Sequence, residues 1–351
     1  MDGSSGEQAG RKVALWVGCY TQDMDGKGVG VVALGRDGEG GYAPLGPASQ
    51  LDSPSFLALN PRVAVIYAAT EGRGEVAAHT YDAEGRLAPL GSPVAVGPLL
   101  CHIAVDPSGA FLVACCFGDG TVAAIELGED GSLGKLHRGV VSRDPHRMDR
   151  QSRAHASLML GSGQLVSTDI GHDSLRMWQY SPQAGLELTD TVRLEPGCGP
   201  RHLARSTRGV VYVVCEYSTE VAMLYPVPRG PGLVALELQA SFQSSARGRQ
   251  DGDAAAELCL DASERRMYVG VRGSNRVCVL AVGDDGGLAP LAESACGGEW
   301  PRNHCLHEGR LVVALERSGA VASFALDEDG RPVHPPRLTP LGSPTHVLPA
   351  G

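Results

Sequence analysis

The chain has 351 residues, 43% hydrophobic and 20% charged, enough apolar surface for a substantial core and a normal share of charge for a soluble protein. Its formal net charge of -10 argues against sequence-independent nucleic-acid binding, which needs a basic surface, but not against a small anionic substrate met by local arginines. No apolar run approaches the roughly 18 residues of a membrane span, and the polar, acidic start from Met1 to Gly10 lacks the pattern of a secretory leader.

Residues 1–11 show no strand pattern and are expected to form a flexible tail ahead of a single domain spanning 12–351. Within that domain one element recurs, a short run of apolar and β-branched residues. It appears as Leu15-Trp16-Val17-Gly18-Cys19-Tyr20, Val65-Ile66-Tyr67-Ala68-Ala69-Thr70 and Leu112-Val113-Ala114-Cys115-Cys116. It returns as Gln164-Leu165-Val166-Ser167-Thr168, Val211-Tyr212-Val213-Val214-Cys215, Met267-Tyr268-Val269-Gly270-Val271 and Leu311-Val312-Val313-Ala314-Leu315. Copies spaced by roughly 44 to 56 residues define a repeat architecture.

A turn keeps the same phase late in every unit. Its copies end at Gly38, Gly85, Gly131, Gly185, Gly230, Gly286 and Gly330, several as Asp-Gly, the strongest short hairpin signal. A third element precedes the first, beginning at Phe56, His102, His155, His202, Glu257 and Asn303. The first unit lacks it, and Pro344-Thr345-His346-Val347-Leu348 supplies it from the far end of the chain. No long stretch of period 3.6 with caps is present. The expected fold is therefore all-β, a seven-bladed β-propeller of four-stranded antiparallel blades. The ring is closed by pairing of the N- and C-terminal segments in one blade, which removes exposed sheet edges.

In such a blade the innermost strand leaves one face and its neighbour returns to it. Residues at the start of the first and the end of the second therefore meet at one mouth of the central channel. The strand starts carry Cys101, His102, His155, Arg201, His202, Glu257, Arg302 and His304, and the second-strand ends carry Glu71, Glu216, Arg272 and Glu316. The segment Gly199-Pro200-Arg201-His202-Leu203, with Cys215-Glu216 a dozen residues later, packs the most chemistry into one hairpin. Glu71 and Glu316 read as solvated or blade-bridging, and His202 and His304 also suit packing or backbone bonding.

These pieces resemble the lactonase-type seven-bladed propeller family, which includes bacterial 6-phosphogluconolactonases and fungal carboxy-cis,cis-muconate cyclases. The resemblance rests on Val17-Gly18-Cys19-Tyr20-Thr21, Cys101-His102-Ile103-Ala104-Val105-Asp106-Pro107-Ser108-Gly109, Arg150-Gln151 ahead of Ala154-His155, and Gly199-Pro200-Arg201-His202-Leu203. It continues through Cys215-Glu216, Ala256-Glu257, Arg272-Gly273-Ser274 and Trp300-Pro301-Arg302-Asn303, nearly the whole chain in order. It implies an active site of His155, Arg201, Glu216 and Arg272, with His102, Glu257, Arg302 and His202 as substrate-binding neighbours. The family's Pro-His-Ala-His is here Ala154-His155-Ala156-Ser157, and its Asn before Glu and before Arg-Gly is here Cys215 and Val271.

Lactone hydrolysis needs an activated water and charge stabilisation at the carbonyl oxygen. Glu216 or His155 suits the base, and Arg201 and Arg272 suit an oxyanion or the carboxylate or phosphate of the substrate. The same groups serve a muconate-cyclase-like cycloisomerase or related cyclase or lyase acting on an unsaturated acid, and a catalytically silent binding scaffold is the other alternative. No Gly-x-Ser-x-Gly elbow supports a serine hydrolase. The ten cysteines contain no Cys-x-x-Cys pair and read as small buried hydrophobes in a reducing cytoplasm. Asp169-Ile170-Gly171-His172-Asp173 matches no standard ligand set, so neither metal nor cofactor is expected. The expected partner is a small anionic substrate, with no nucleic acid and no membrane, and the chain itself a monomer or weak homo-oligomer. Two long insertions, Arg143 to Arg153 and Ser244 to Asp253, are read as disordered, as a lid, or as partner-binding.

Overall fold

The structure, a computed structural model, describes residues 12–46, 49–140, 143–230 and 232–350; the expected tail 1–11 lies outside them. Apolar runs punctuated by turn glycines fold almost wholly into strands, and the helical element among the described residues is the single 3-10 turn Gln22–Met24. The strands assort into seven sheets, six with four strands and one with a fifth, Val94–Ala95, added against Glu75–Tyr81. Within six sheets the strands follow chain order from the axis outwards. In the remaining one the C-terminal strand Pro344–Pro349 lies inside Leu15–Cys19, with Val17 opposite Val347, and so closes the ring. The four-stranded, antiparallel, seven-bladed expectation holds.

Seven inner strands line the axis: Pro54–Leu59, Leu100–Val105, Ala154–Gly161, Pro200–Arg205, Ala254–Leu260, Pro301–His307 and Pro344–Pro349. Each packs against the next around the ring. The second strands are buried between neighbouring strands; Phe111–Cys116, Gln164–Asp169 and Val211–Cys215 are buried at every residue, and Phe111–Cys116 and Val211–Cys215 accordingly read as nearly continuous apolar runs. All seven turn glycines named from the sequence take positive φ, from 76° at Gly330 to 154° at Gly230, a region closed to most side chains. Those turns also join blades. The hydroxyls of Tyr67, Tyr212 and Tyr268, each on a second strand, donate to the carbonyls of Gly131, Gly286 and Gly330 in the following blade at 2.7, 2.8 and 2.8 Å.

Gly18 marks another close approach between blades. A Cβ there would sit 2.1 Å from the carbonyl oxygen of Pro54, the first residue of the next inner strand. Backbone cannot swing aside as a side chain can, so Gly18→Ala is expected to destabilise the ring by about 1–3 kcal/mol. Urea denaturation reads this as a lowered midpoint; an unchanged midpoint would show that the two blades separate freely.

The ten cysteines are free thiols, most of them buried. Both long insertions are pinned. Arg150 pairs with Asp144 at 2.9 Å and with Asp173, while Asp253 pairs with Arg276 at 2.8 Å and Ser244 Oγ donates to the Thr219 carbonyl at 2.5 Å. The Asp169–Asp173 segment is likewise a structural hub: Asp169 accepts from Ser152 Oγ at 2.6 Å and from the backbone N–H of Arg153 and His172.

Candidate active site

Every inner strand slips register by one residue just inside the mouth. The slips fall at Ser55, Cys101, His155-Ala156, Arg201-His202, Ala256-Glu257, Arg302 and Thr345. A bulge bends the strand and re-aims its side chains, so two successive residues reach the axis where a regular strand offers one. Arg201 and His202 show the result. Arg201 meets Glu216 at the mouth, while the ring of its neighbour His202 lies 5.0 Å from His155 and 5.6 Å from His102.

The site therefore has two layers. The upper one joins His155, Arg201 and Arg302 from the inner strands to Tyr20, Glu71, Glu216, Arg272 and Glu316 from the ends of second strands. Glu216 Oε2 lies 3.0 Å from Arg201 Nε and 3.0 Å from Arg272 Nη2. Arg201 Nη1 donates to the Ala256 carbonyl, and Arg272 donates through Nε and Nη2 to Ala254 and Ala255 at 3.3 Å each. Neither Arg201 Nη2 nor Arg272 Nη1 has a hydrogen-bond partner among the described residues. Burial and then the mutual repulsion with Arg272 push Arg201 down to about 10, so both arginines remain charged at neutral pH.

The other wall of the mouth is built differently. Arg302 faces Glu71 at 3.7 Å and Glu316 at 3.3 Å, donates to the Tyr20 hydroxyl, and lies 4.7 Å from the Tyr20 ring centroid. Tyr20 in turn donates to Glu71 Oε2 at 2.8 Å. Burial opposes the Arg302 charge, but Tyr20, Glu71 and Glu316 outweigh it and raise its pKa. Two cations on one anion leave a positive surplus at Glu216; one cation between two anions leaves a negative surplus at Arg302. Glu71 bridges blades through Arg302, whereas Glu316 pairs with Arg302 inside its own blade.

Below this layer Phe56, His102, His202, Glu257, Asn303 and His346 fill the channel. Phe56 stacks on His346 at 3.8 Å and on His102 at 4.3 Å, and His202 Nδ1 lies 3.0 Å from Glu257 Oε2. Asn303 Nδ2 also donates to Glu257, and His304 Nε2 lies 3.2 Å from the Tyr268 carbonyl. His102, His202 and Glu257 thus sit one layer beneath the mouth, His202 paired with Glu257 and His102 held by ring contacts with Phe56 and His202 and by the Ser157 N–H. Burial, helped by Arg201, holds His155 and His202 well below the usual imidazole range, and burial holds Glu257 above the usual carboxylate range. His155 Nδ1 is buried with no hydrogen-bond partner among the described residues. Among the described residues no group of three or more His, Cys, Asp or Glu side chains is placed to hold a metal ion.

The structure brings His155, Arg201, Glu216, Arg272 and Arg302 to one mouth. Sequence reasoning left out Tyr20, Phe56 and His346. The signal was available, since Tyr20 holds the repeat position of Glu71 and Glu216, and Phe56 and His346 hold that of His202.

Residues 14–349 match the family described as "Lactonase, 7-bladed beta-propeller". The chain belongs to that family. Its family and fold are those of a lactonase built on a propeller. A 6-phosphogluconolactonase of Formosa agariphila is 25% identical over 341 residues, covering 89% of this chain and 92% of its own. One from Erwinia tasmaniensis is 22% identical over 78% of this chain and 80% of its own. The periplasmic gluconolactonase of Pseudomonas aeruginosa superposes with a TM-score of 0.85 over 95% of this lactonase and 98% of that chain, at 24% identity, a likeness of fold. No helix among the described residues is long and apolar enough to cross a membrane.

Proposed function

We propose that this lactonase opens the ring of a sugar-acid lactone or a related anionic substrate at the mouth formed by His155, Arg201, Glu216 and Arg272. The observation that carries the reading is the convergence of two buried arginines on one oxygen of Glu216, each keeping one η nitrogen free of protein partners. Donors fixed in place before the reaction stabilise a developing oxyanion without reorganisation. In this reading the lactone carbonyl oxygen lies against Arg201 Nη2 and Arg272 Nη1. Glu216, the most exposed of the three side chains at 19%, takes the proton of the attacking water. The carbonyl carbon then reforms its double bond, the ring C–O bond breaks, and the proton passes to the ring oxygen as it becomes a hydroxyl. His155, a neutral imidazole at neutral pH, offers Nδ1 to orient the water or substrate.

Relatives named for 6-phosphogluconolactone hydrolysis support a sugar-acid substrate. Ten free, mostly buried thiols suit a cytoplasmic setting. All the side chains of the proposed site come from one chain, so a monomer suffices. The test is proton release in weak buffer with glucono-δ-lactone and 6-phosphoglucono-δ-lactone, and turnover of one or both well above spontaneous hydrolysis is expected. Consumption of an unsaturated diacid, followed by ultraviolet absorbance, with no lactone hydrolysis would overturn the reading in favour of a cyclase. Aldonate binding without any turnover would favour a scaffold.

A further inference from the structure

Trp300 ties one of the site arginines, Arg272, to the rim. It stands just ahead of an inner strand with φ 65°, its backbone N–H donated to Asn275 Oδ1 at 2.8 Å. The Arg272 guanidinium lies 5.3 Å from its ring centroid and the Arg317 guanidinium 3.3 Å. Both guanidinium groups therefore lie against one indole ring, Arg272 on the mouth side and Arg317 toward solvent. Arg317 follows Glu316, the last mouth residue of its blade, and is exposed, with neither an ion pair nor a hydrogen bond among the described residues.

Two other cations near the rim are engaged. Arg302 is covered by Glu71, Glu316 and Tyr20. Arg153 lies 4.8 Å over Phe117 and bonds Gln151 Oε1 at 3.3 Å. The wall around Arg302 carries surplus negative charge and repels an anion. A guanidinium lying on an indole is held in place by its face while its N–H edge stays open, the geometry that suits bidentate capture of phosphate or carboxylate.

Resting on the lactonase reading above, we propose that Arg317, seated on Trp300, is a specificity residue that binds a phosphate or carboxylate carried at the end of the substrate remote from the lactone carbonyl, while Arg272 on the same ring serves the carbonyl end. The anionic tail runs from Arg272 across the Trp300 ring to Arg317. Substrates without that tail lose this contact and keep the rest.

The experiment compares wild type, Arg317→Ala, Arg317→Lys and Arg153→Ala on 6-phosphoglucono-δ-lactone and glucono-δ-lactone. Arg317→Ala is expected to lower the ratio of kcat/KM for the phosphorylated over the unphosphorylated lactone by about tenfold or more, through KM rather than kcat. Arg317→Lys recovers part of the preference, and added salt erodes the wild-type preference but not what is left in Arg317→Ala. A ratio untouched by Arg317→Ala, or one removed by Arg153→Ala instead, overturns the assignment. Calorimetry with 6-phosphogluconate and gluconate makes the same comparison without turnover. A protein that hydrolyses neither lactone yet loses 6-phosphogluconate affinity in Arg317→Ala keeps the anion site and sinks the lactonase reading. Hydrolysis of both lactones with Arg317→Ala silent does the reverse.

Discussion

Glu216→Gln is expected to lower kcat for lactone hydrolysis by about 10²- to 10⁴-fold and to weaken the fold at the same time. The two effects share a cause. Glu216 is the one carboxylate paired with both Arg201 and Arg272, whose side chains are 4% and 7% exposed. A neutral amide leaves two buried cations facing each other without their counter-charge. Removing one partner of a buried ion pair costs about 3–5 kcal/mol, and the partial exposure of Glu216 places this substitution toward the low end. Urea denaturation at neutral pH checks the stability half, and steady-state kinetics on the folded variant checks the other. Added formate separates the roles, because a small external base restores turnover only where a base is what was lost. If Glu216→Gln keeps more than about a tenth of wild-type kcat, less than the smallest effect expected of a general base, the base lies elsewhere, with His155 next in line. His155→Asn is expected to be the milder of the two variants, since it removes a neutral hydrogen-bonding ring and no charge.

The propeller was legible because its signals repeat. Seven strand runs and seven turn glycines kept one phase, and the unit without its first strand found it at the C-terminus. The pairing of Val17 with Val347 is that closure in register. The meeting of Arg201, Glu216 and Arg272 also followed from phase, alongside the family resemblance. What escaped were features that no alternation rule carries. A slip of one residue at the mouth of each inner strand places both Arg201 and His202 on the axis, where a period of two would hide one of them. The layering into mouth and plug follows from those slips, as does the burial of Phe56 against His102 and His346. The stacking of Arg272 and Arg317 on Trp300 depends on loops from two blades meeting, which sequence spacing does not encode. Nor did it reveal that Glu71 and Glu316 close over Arg302 and so give the two walls of the mouth opposite charge.

The channel plug predicts a sharp acid limit. Burial pushes His346 down to about 3 and holds His102, His155 and His202 well below the usual imidazole value, with His304 also lowered. Arg201 presses on His155, His202 and His102 as well, and the histidines repel one another once charged. Glu257 pulls the other way for His346 and His304, as do the Tyr268 carbonyl for His304 and Glu216 for His202. In the unfolded chain each imidazole takes up a proton near pH 6.5, whereas the folded channel refuses it. Between the folded and unfolded pKa values the unfolded state therefore binds more protons, so stability is full above about pH 6.5 and falls as the pH drops. Each such histidine costs about 1.4 kcal/mol per pH unit in that window. For His346 the window runs from 6.5 down to about 3. Several such histidines acting together steepen the loss, against a total stability of about 5–15 kcal/mol for many domains. Glu257, raised by burial, binds its proton more readily folded than unfolded and offsets part of one group's share. The expected result is cooperative unfolding between about pH 6 and pH 5, a steeper acid limit than carboxylate protonation gives. Urea midpoints measured at half-unit steps from pH 7.5 to 5 test it, and His346→Leu should flatten the slope by about one proton. A stability flat across that range would mean that the channel histidines titrate with solvent, and that the plug is wet.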